Sequence, residues 1–346
     1  MILHKLSSAV LFQVIIINLV VSQDSITTDE LKKTFAIKAN VDGYFRHSST
    51  GFASPTFLIL EHMKPSLGSF NVELTYDHRN KFGFMLNLAA GPRAKQFYSL
   101  DNNNILNHIK QAYFYYNLND KLKVIVGNST AFIGYEYDEP HLNLFYSNSY
   151  INSATPATFN GMNLEIMIDE NWTYNIGVYS EPDYKIDNIP GVHIGNILSW
   201  KKDNFSNSLG FMIGKIDYYR VGYIEYLMDY AINDKNSLAL ELLTARSSSI
   251  ESNNISGMNI YFSHAPKDYL SLNLRGEYYV DNNYYFLADR VNGKGICFGA
   301  KVKLFKYFYI FPEIRYDKTN RSVFTHYTKG FINNDFSGLI GISIAY

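Results

Sequence analysis

The sequence has almost no cysteine and no long apolar run beyond its amino terminus. Its single cysteine, Cys297, has no disulfide partner, so a disulfide-stapled scaffold and metal–thiolate or CxxC redox chemistry are excluded. Charged side chains nearly cancel, with a formal net charge of −1. The chain therefore lacks the basic surface typical of nucleic-acid-binding proteins. No run of about 18 apolar residues follows residue 22, so the remaining chain has no helical membrane span.

The motifs of common enzyme classes are also missing. The sequence contains no GxSxG elbow, Walker A loop, HExxH motif, EF-hand loop or glycine-rich dinucleotide fingerprint. The one local acid–histidine cluster, His141 beside Asp138 and Glu139, is more typical of a hydrated loop than of a catalytic site. We therefore predict a protein that is not an enzyme and needs no cofactor or metal. An outer-membrane hydrolase using His141 is the competing interpretation.

Residues 1–22 have the pattern of a cleavable secretory signal peptide. A short basic start with Lys5 precedes an apolar stretch that Gln13 and Asn18 interrupt. This stretch is too short for a helix that crosses a bilayer, which needs about 20 apolar residues. We therefore predict a signal peptide at 1–22 and a single mature domain at 23–346.

What the sequence has in quantity is aromatic residues and alternation. Aromatic side chains make up 16% of the chain. In YLSLNLRGEYYVD, residues 269–281, Leu272 and Leu274 fall on one face of a strand, and Arg275 and Glu277 fall on the other. A strand that crosses a bilayer at a tilt has about ten residues, whereas strands of soluble proteins commonly have five or six. The length of the alternating segments therefore favours transmembrane strands.

Sixteen such segments follow one another, and the connections between them are alternately short and long. They lie at 35–47, 68–79, 81–90, 108–118, 121–128, 159–168, 172–181, 192–202, 206–217, 221–232, 236–246, 255–265, 269–281, 293–304, 307–317 and 335–346. Asn119-Asp120 is typical of the short turns, whereas 129–158, 247–254 and 318–334 are predicted long connections. This pattern predicts an all-β fold, a single transmembrane antiparallel β-barrel of about 16 strands (14–18) in the bacterial outer membrane. A soluble periplasmic β protein is the rival.

The charged face of the strands is predicted to point into the barrel. Placing Arg275 towards lipid near the midplane would cost about 2–4 kcal/mol, and every two-faced strand would incur a similar penalty if it were inverted. Tyrosine and phenylalanine then belong to the outer apolar band and its interfacial girdles. The predicted lumen-facing wall residues are Lys38, Arg46, Arg275, Glu277, Lys301, Glu313 and Arg315.

The stretch 109–149 carries the most specific motifs of the chain. They are Gln111-Ala112-Tyr113, Gly127, Ile133-Gly134-Tyr135-Glu136, Glu139-Pro140, Asn143, Tyr146-Ser147 and Ser149. With these motifs the chain resembles the β-barrel porins of the OmpL-like type, and LNLRGEYYVD and FPEIRYDKTN are similar to that family's later strands. The resemblance implies an outer-membrane channel that passes small hydrophilic solutes or ions by passive diffusion and has no catalytic residues.

The longest predicted connection, 129–158, is the candidate functional segment, because long ordered loops of compact proteins are usually functional. It carries Glu136, Asp138 and Glu139. In sixteen-stranded porins the third outer loop commonly narrows the lumen, and by this analogy we predict that the three carboxylates form the pore constriction and face the basic wall residues. In the competing interpretation, the loop caps the barrel outside and its charges are merely solvated.

The predicted partners are outer-membrane lipids, small solutes, the barrel-assembly machinery and further copies of the chain. The last segment places Ile340, Ile342 and Ile344 on one face and ends on Tyr346, which resembles the carboxy-terminal strand by which outer-membrane barrels are recognised for insertion. Channels of this size are usually homotrimers. The alternative function is a barrel that acts mainly as an adhesin or receptor through its extracellular loops.

Overall fold

The computed structural model of the chain describes residues 33–51, 56, 59, 61–97, 105–186, 191–216, 219–248, 252–284 and 290–346. The predicted signal peptide at 1–22 lies outside these residues. Within them, nearly all of the alternating segments form long strands, and the few helices are short. No helix of the described residues has the length and apolar character needed to cross a membrane.

Sixteen antiparallel strands close into one barrel, which confirms the predicted fold class and strand number. They are β1 (Lys33–Ser48), β2 (Ser66–His78), β3 (Phe82–Ala90), β4 (Ile109–Asn119), β5 (Leu122–Thr130), β6 (Thr158–Met167), β7 (Trp172–Tyr179), β8 (Gly191–Lys202), β9 (Phe205–Ile216), β10 (Tyr219–Asn233), β11 (Asn236–Ser248), β12 (Ser252–Lys267), β13 (Leu270–Asn282), β14 (Val291–Phe305), β15 (Phe308–Thr319) and β18 (Asn334–Ala345). β18 pairs with β1, with Gly341 opposite Tyr44, so the barrel has no free edge.

The remaining elements lie in the long connections. Two short strands, β16 (Phe324–His326) and β17 (Gly330–Ile332), form a hairpin between β15 and β18. Helix α1 (Pro92–Phe97) follows β3, and helix α2 (Tyr150–Ser153) precedes β6. Single 3₁₀ turns occur at Leu106–His108 and Pro140–Leu142. The predicted loop 318–334 therefore contains secondary structure of its own.

Short turns and long loops lie at opposite ends of the barrel, because successive strands are antiparallel. The turn after β4 is typical of the short-turn end, where the Asn119 side chain accepts a hydrogen bond from the Lys121 backbone at 2.9 Å. At the long-loop end, the prediction of a long connection over 247–254 is wrong. Ser247 pairs with Asn253 and Ser248 with Ser252, so β11 and β12 continue into this segment and leave only three residues between them.

The strand faces lie as the alternation predicts. On β13, Arg275 is 0% exposed and Glu277 is buried inside the barrel, whereas Leu272 and Leu274 are exposed on the outer surface. The same outward exposure of large apolar side chains recurs around the barrel, as in Phe84, Phe114, Ile194, Phe211, Ile224, Phe298, Ile314 and Ile340. An apolar outside and a charged inside are the two faces of a barrel embedded in lipid.

Candidate functional site

The connection between β5 and β6, residues 131–157, runs into the barrel, and we call it the inner loop. The backbone N–H of Gly134 donates to Glu225 of β10 at 2.8 Å. Farther along the loop, the backbone N–H of Tyr146 donates to Glu313 of β15. Because β10 and β15 are five strands apart around the wall, the inner loop extends across the lumen.

Side chains of the inner loop fix its local shape. Asn143 accepts a hydrogen bond from the Tyr137 backbone N–H at 2.8 Å and donates to the Tyr137 carbonyl at 2.5 Å. Pro140 begins the 3₁₀ turn that lies between them. Ser149 caps α2, because its hydroxyl accepts from the Asn152 backbone N–H at 3.3 Å. These local bonds hold the loop in a defined path inside the barrel.

The first attachment of the inner loop is built on arginine, and we call it the basic anchor: Arg275, Lys301 and Arg315 with their partners. Arg275 binds the Glu136 carboxylate at 2.6 Å, the Glu277 carboxylate at 2.9 Å and the carbonyl of Ser147 at 2.7 Å. Its side chain is fully buried, so these charge-assisted hydrogen bonds replace the hydrogen bonds to water that the guanidinium has lost.

Lys301 and Arg315 extend the basic anchor to β14 and β15. Lys301 donates to the carbonyls of His141 and Asn143 at 2.6 and 3.0 Å. Arg315 donates to the carbonyl of Asn148 at 3.1 Å and pairs with Asp317 at 2.8 Å. The basic anchor therefore binds backbone carbonyls along one side of the loop. Because these acceptors belong to the backbone, a side-chain substitution in the loop does not remove them.

A fourth cation, Lys110 of β4, holds the tip of the inner loop. Its ammonium lies 2.8 Å from Asp138 and 2.5 Å from Glu139. Burial and the neighbouring Asp138 charge raise the pKa of Glu139 to about 7, although Lys110 opposes this shift. Arg93 of α1 reaches the same place and donates to the Asp138 carbonyl at 2.7 Å.

Another attachment is built on carboxylates, and we call it the acidic anchor: Glu225, Asp229 and Glu241 of β10 and β11. Glu225 and Glu241 accept from the successive backbone N–H groups of Gly134 and Tyr135 at 2.8 and 3.3 Å. The Tyr135 hydroxyl donates to Asp229 at 2.7 Å. Among the described residues, no lysine or arginine forms an ion pair with these three carboxylates.

Apolar contacts complete the attachment on this side. The ring of Phe132 lies 5.1 Å from that of Phe159 and 6.0 Å from that of Tyr179, measured between centroids. Ile133 and Ile151 belong to the same buried cluster. The segment 131–135, which we call the arm, is therefore held by packing and by hydrogen bonds to carboxylates, with no arginine or lysine bond among the described contacts.

The inner loop fills much of the cross-section of the lumen. Every barrel strand carries at least one buried side chain: Arg46, Asn71, Asn87, Lys110, Asn128, Phe159, Tyr179, His193, Met212, Glu225, Glu241, Asn259, Arg275, Cys297, Glu313 and Ser337. A wall of this kind is covered by the loop and its attachments rather than by water.

Beside the inner loop, a cavity of about 940 Å³ remains along the inner wall from β7 to β12. The loop contributes Tyr135, Tyr137 and Leu142 to its lining, and the wall contributes Ser199 and Asp229. Asp203 and Asn204, of the turn between β8 and β9, also line it, so the cavity reaches the short-turn end.

The residues predicted from the sequence are distributed unevenly around this site. Arg275, Glu277, Lys301, Glu313 and Arg315 all lie on the inner wall, where they bind the inner loop directly. Lys38 and Arg46 form their described ion pairs with other wall residues. Lys38 is 67% exposed and pairs with Glu73 at 3.0 Å, and Arg46 pairs with Asp335 at 2.8 Å.

The three predicted loop carboxylates bind two different cations. Only Glu136 binds a predicted basic wall residue, Arg275. Asp138 and Glu139 bind Lys110, which the sequence interpretation did not select. It also overlooked the acidic anchor, although the alternation within 221–232 and 236–246 places Glu225, Asp229 and Glu241 on the charged face of their strands.

The acid–histidine pair required by a hydrolase is not formed. Asp138 and Glu139 bind Lys110, and the His141 ring lies 6.3 Å from the Tyr309 ring between centroids. Burial and the nearby Lys301 lower the pKa of His141 to about 4, so its imidazole is neutral at pH 7. Within the described ranges, no group of three or more His, Cys, Asp or Glu side chains could hold a metal ion.

The geometry agrees with a comparison against known protein families. The family model described as "Putative beta-barrel porin-2, OmpL-like" matches residues 34–344. This span includes the sixteen-stranded barrel and the whole inner loop. The chain belongs to this porin family. The motifs that carry the sequence resemblance, from Ile133 to Ser149, are those of the inner loop, and several of them bind the two anchors.

Solved structures of outer-membrane barrels share the fold. OmpT of Vibrio cholerae has a TM-score of 0.64 at 10% identity, covering 93% of this chain and 99% of that chain. An anion-selective porin from Comamonas acidovorans has a TM-score of 0.61 at 13% identity, covering 91% and 100%. Salmonella typhi OmpF, in a complex with daunomycin, has a TM-score of 0.61 at 10% identity, covering 93% and 99%.

No curated protein sequence is significantly similar to the chain. The family assignment and the barrel nevertheless place the protein in the bacterial outer membrane as a β-barrel of the porin family. In such barrels the short turns lie on the periplasmic side and the long loops outside. The cavity beside the inner loop therefore opens towards the periplasm.

Proposed function

We propose that the protein is an outer-membrane channel through which small hydrophilic solutes or ions diffuse passively. The observation that carries this proposal is the inner loop, which lies inside the barrel and binds wall strands as far apart as β4 and β13. Barrels of 16–18 strands are wide enough to leave an aqueous path. A loop folded within such a barrel sets the narrowest part of that path.

Glu136, Asp138 and Glu139 are the proposed constriction residues. Glu136 faces Arg275, and the other two face Lys110, so acidic and basic groups meet across the loop. Charges arranged in this way produce a local field that screens solutes by charge as well as by size. Because the loop is closely packed, passage also requires local movement of the loop or of its side chains. The arm has the weaker attachment.

Planar bilayer recording of the refolded protein tests this function. We expect discrete conductance steps in KCl, and swelling of proteoliposomes in sugars only up to a limiting size. Replacing Glu136, Asp138 and Glu139 by their amides is expected to change conductance and ion selectivity. A matched triple variant at exposed turns, Asp120→Asn, Glu170→Gln and Asp234→Asn, is expected to leave both unchanged. Unchanged values in the loop variant would remove the constriction role.

The close packing at the inner loop favours, as a second candidate, a barrel that does not conduct and acts as an adhesin or receptor through its outer loops. The two functions differ in one readout. If the protein migrates on gels as a folded, heat-modifiable barrel but gives no conductance steps at any voltage, the receptor function is supported. In that case the channel proposal is wrong.

We also propose that β18 directs insertion by the barrel-assembly machinery and that the protein forms a homotrimer. The outward face of β18 carries Ile340, Ile342 and Ile344. One solved structure of Vibrio cholerae OmpT is described as a trimer form. Chemical cross-linking in native outer membranes is expected to give a trimer band, and a monomer alone would overturn this. Changing Tyr346 to serine is expected to lower the amount of inserted protein.

A further inference from the structure

The cavity between the inner loop and the wall from β7 to β12 is lined by an excess of carboxylates and by aromatic rings. We propose that it is a binding site for organic cations, such as amines that carry an aromatic or aliphatic group. This inference rests on the proposed channel function, since the cavity lies on the periplasmic side of the constriction. Its volume of about 940 Å³ lies within the range of pockets that hold small molecules.

Two carboxylates without a described ion pair line the cavity. Asp229, an exposed carboxylate of the wall, and Asp203, at the periplasmic mouth, line it together with a single cation, Lys201. The described lining therefore carries an excess of negative charge.

The other carboxylates near the cavity are neutralised and do not contribute. Glu136 and Asp138 also line it, but Glu136 is paired with Arg275 and Asp138 with Lys110. The excess of negative charge therefore belongs to the wall and not to the loop. An entering cation would gain attraction from Asp229 and Asp203, whereas an anion would meet repulsion on the same path.

Aromatic faces supply the second element of recognition. Tyr135 and Tyr137 project from the loop into the cavity lining, and Tyr137 is 57% exposed. The Tyr135 hydroxyl donates to Asp229 at 2.7 Å, which makes its ring more electron-rich. Burial and Asp229 also raise the pKa of the Tyr135 phenol, so it remains a neutral donor. Rings of this kind attract ammonium groups through cation–π contacts.

Apolar side chains make the remaining wall suitable for the organic part of such a solute. Leu142 is 52% exposed in the cavity, and Leu144, Leu227 and Leu238 line it beside the tyrosines. A small inorganic cation would gain nothing from these groups. A cation that also carries an apolar group would bury that group against them, so the lining distinguishes organic cations from K⁺ or Na⁺.

Current block in planar bilayers tests the site. Benzyltrimethylammonium, added on the periplasmic side of the reconstituted protein, is expected to block KCl current at a concentration at least about tenfold lower than benzyl alcohol or benzenesulfonate. Asp229→Asn is expected to weaken this block about five- to tenfold. Asp120→Asn, an exposed turn carboxylate outside the cavity, is the matched control and should leave the block unchanged.

A second measurement separates failure of the site from failure of the channel. Binding of benzyltrimethylammonium to the detergent-solubilised barrel is measured by titration calorimetry, with Asp229→Asn as the comparison. Binding that depends on Asp229 in a barrel without conductance supports the site and removes the channel. Conductance with equal block by all three probes, or binding that is unaffected by Asp229→Asn, overturns the site and leaves the channel intact.

Discussion

The two anchors of the inner loop lie on separate parts of the barrel wall, β13–β15 and β10–β11, and hold the loop by different chemistry. The basic anchor binds carboxylates and backbone carbonyls of residues 136–148 through Arg275, Lys301 and Arg315. The acidic anchor binds two backbone amides and one hydroxyl of the arm through Glu225, Asp229 and Glu241. The first attachment is balanced in charge, and the second is not.

This difference separates a fixed part of the loop from a part that can move. Buried arginine surrounded by acceptors cannot lose one partner without leaving an unpaired charge, so the basic anchor resists displacement. The arm can exchange its few amide bonds for water, and the cavity beside it provides room. We infer that the constriction opens along the wall from β7 to β12.

The largest effect is expected from Arg275→Met, which breaks the basic anchor. Glu136 would remain buried without its cation, and Glu277 would keep only Arg315, 3.0 Å away. The free energy of unfolding should therefore fall by about 3–5 kcal/mol. Urea unfolding of the detergent-solubilised barrel measures it. Lys38→Met removes a pair whose lysine is 67% exposed and should cost at most about 1 kcal/mol. Equal losses in the two variants would contradict the proposed difference between these pairs.

A smaller effect is expected from Gly134→Ala, which acts on the arm alone. Gly134 has φ +112°, and an added Cβ would lie 2.9 Å from Oδ1 of Asn152. The strain, about 1–2 kcal/mol, should loosen the arm and raise the open-channel conductance without unfolding the barrel. Gly276→Ala, where an added Cβ meets nothing within 4 Å, is the control. A conductance equal to that of the control would show that the arm does not limit passage.

The charge of the acidic anchor is tested by Asp229→Asn, which removes its exposed carboxylate. The amide still accepts a hydrogen bond from the Tyr135 hydroxyl, so stability should change little, whereas the cation-to-anion permeability ratio should fall by about twofold or more. Reversal potentials in a KCl gradient measure this ratio. Glu165→Gln, at a partly exposed pair with Lys123, serves as the reference. A ratio unchanged from that reference would place the selectivity elsewhere.

The pH dependence of Glu139 concerns the tip of the loop and is the smallest expected effect. Its folded-state pKa of about 7 lies above its ordinary value of 4.5. Between these values the folded protein keeps a proton that the unfolded chain has released, so the free energy of unfolding should fall as pH rises from 4.5 to 7. Urea unfolding at pH 5 and pH 8 measures this fall, which Glu139→Gln should reduce. An identical fall in the variant would exclude Glu139 as its source.

Much of the fold follows from local pattern, and the errors concern connections. The alternation around Arg275 predicts both the strand and its buried face, because successive side chains of a strand point to opposite sides. The prediction of a long loop over 247–254 was wrong because serine and asparagine, common in turns, also pair across strands there, as Ser247 does with Asn253. The hairpin between β15 and β18 lies in a segment without clear alternation.

The candidate site was predictable only in part, for a physical reason that its bonds show. The sequence selects Glu136 and Arg275 as charged residues of a loop and a wall, but their contact joins residues 139 positions apart. Lys110 was missed because a single lysine near a strand end has no distinguishing pattern. The carboxylates of the acidic anchor have the right alternation, yet nothing local shows that they lack cations.

The sequence by itself determined that this chain forms an outer-membrane barrel, which strands build it and which face of each strand is charged. These properties arise from side chains that alternate along a strand between lipid and lumen, a periodicity that neighbouring residues reveal. Only the tertiary structure decided that the loop 131–157 lies inside and which charges meet there. Closure of the barrel brings together residues remote in sequence, and the partner of each buried charge depends on that closure.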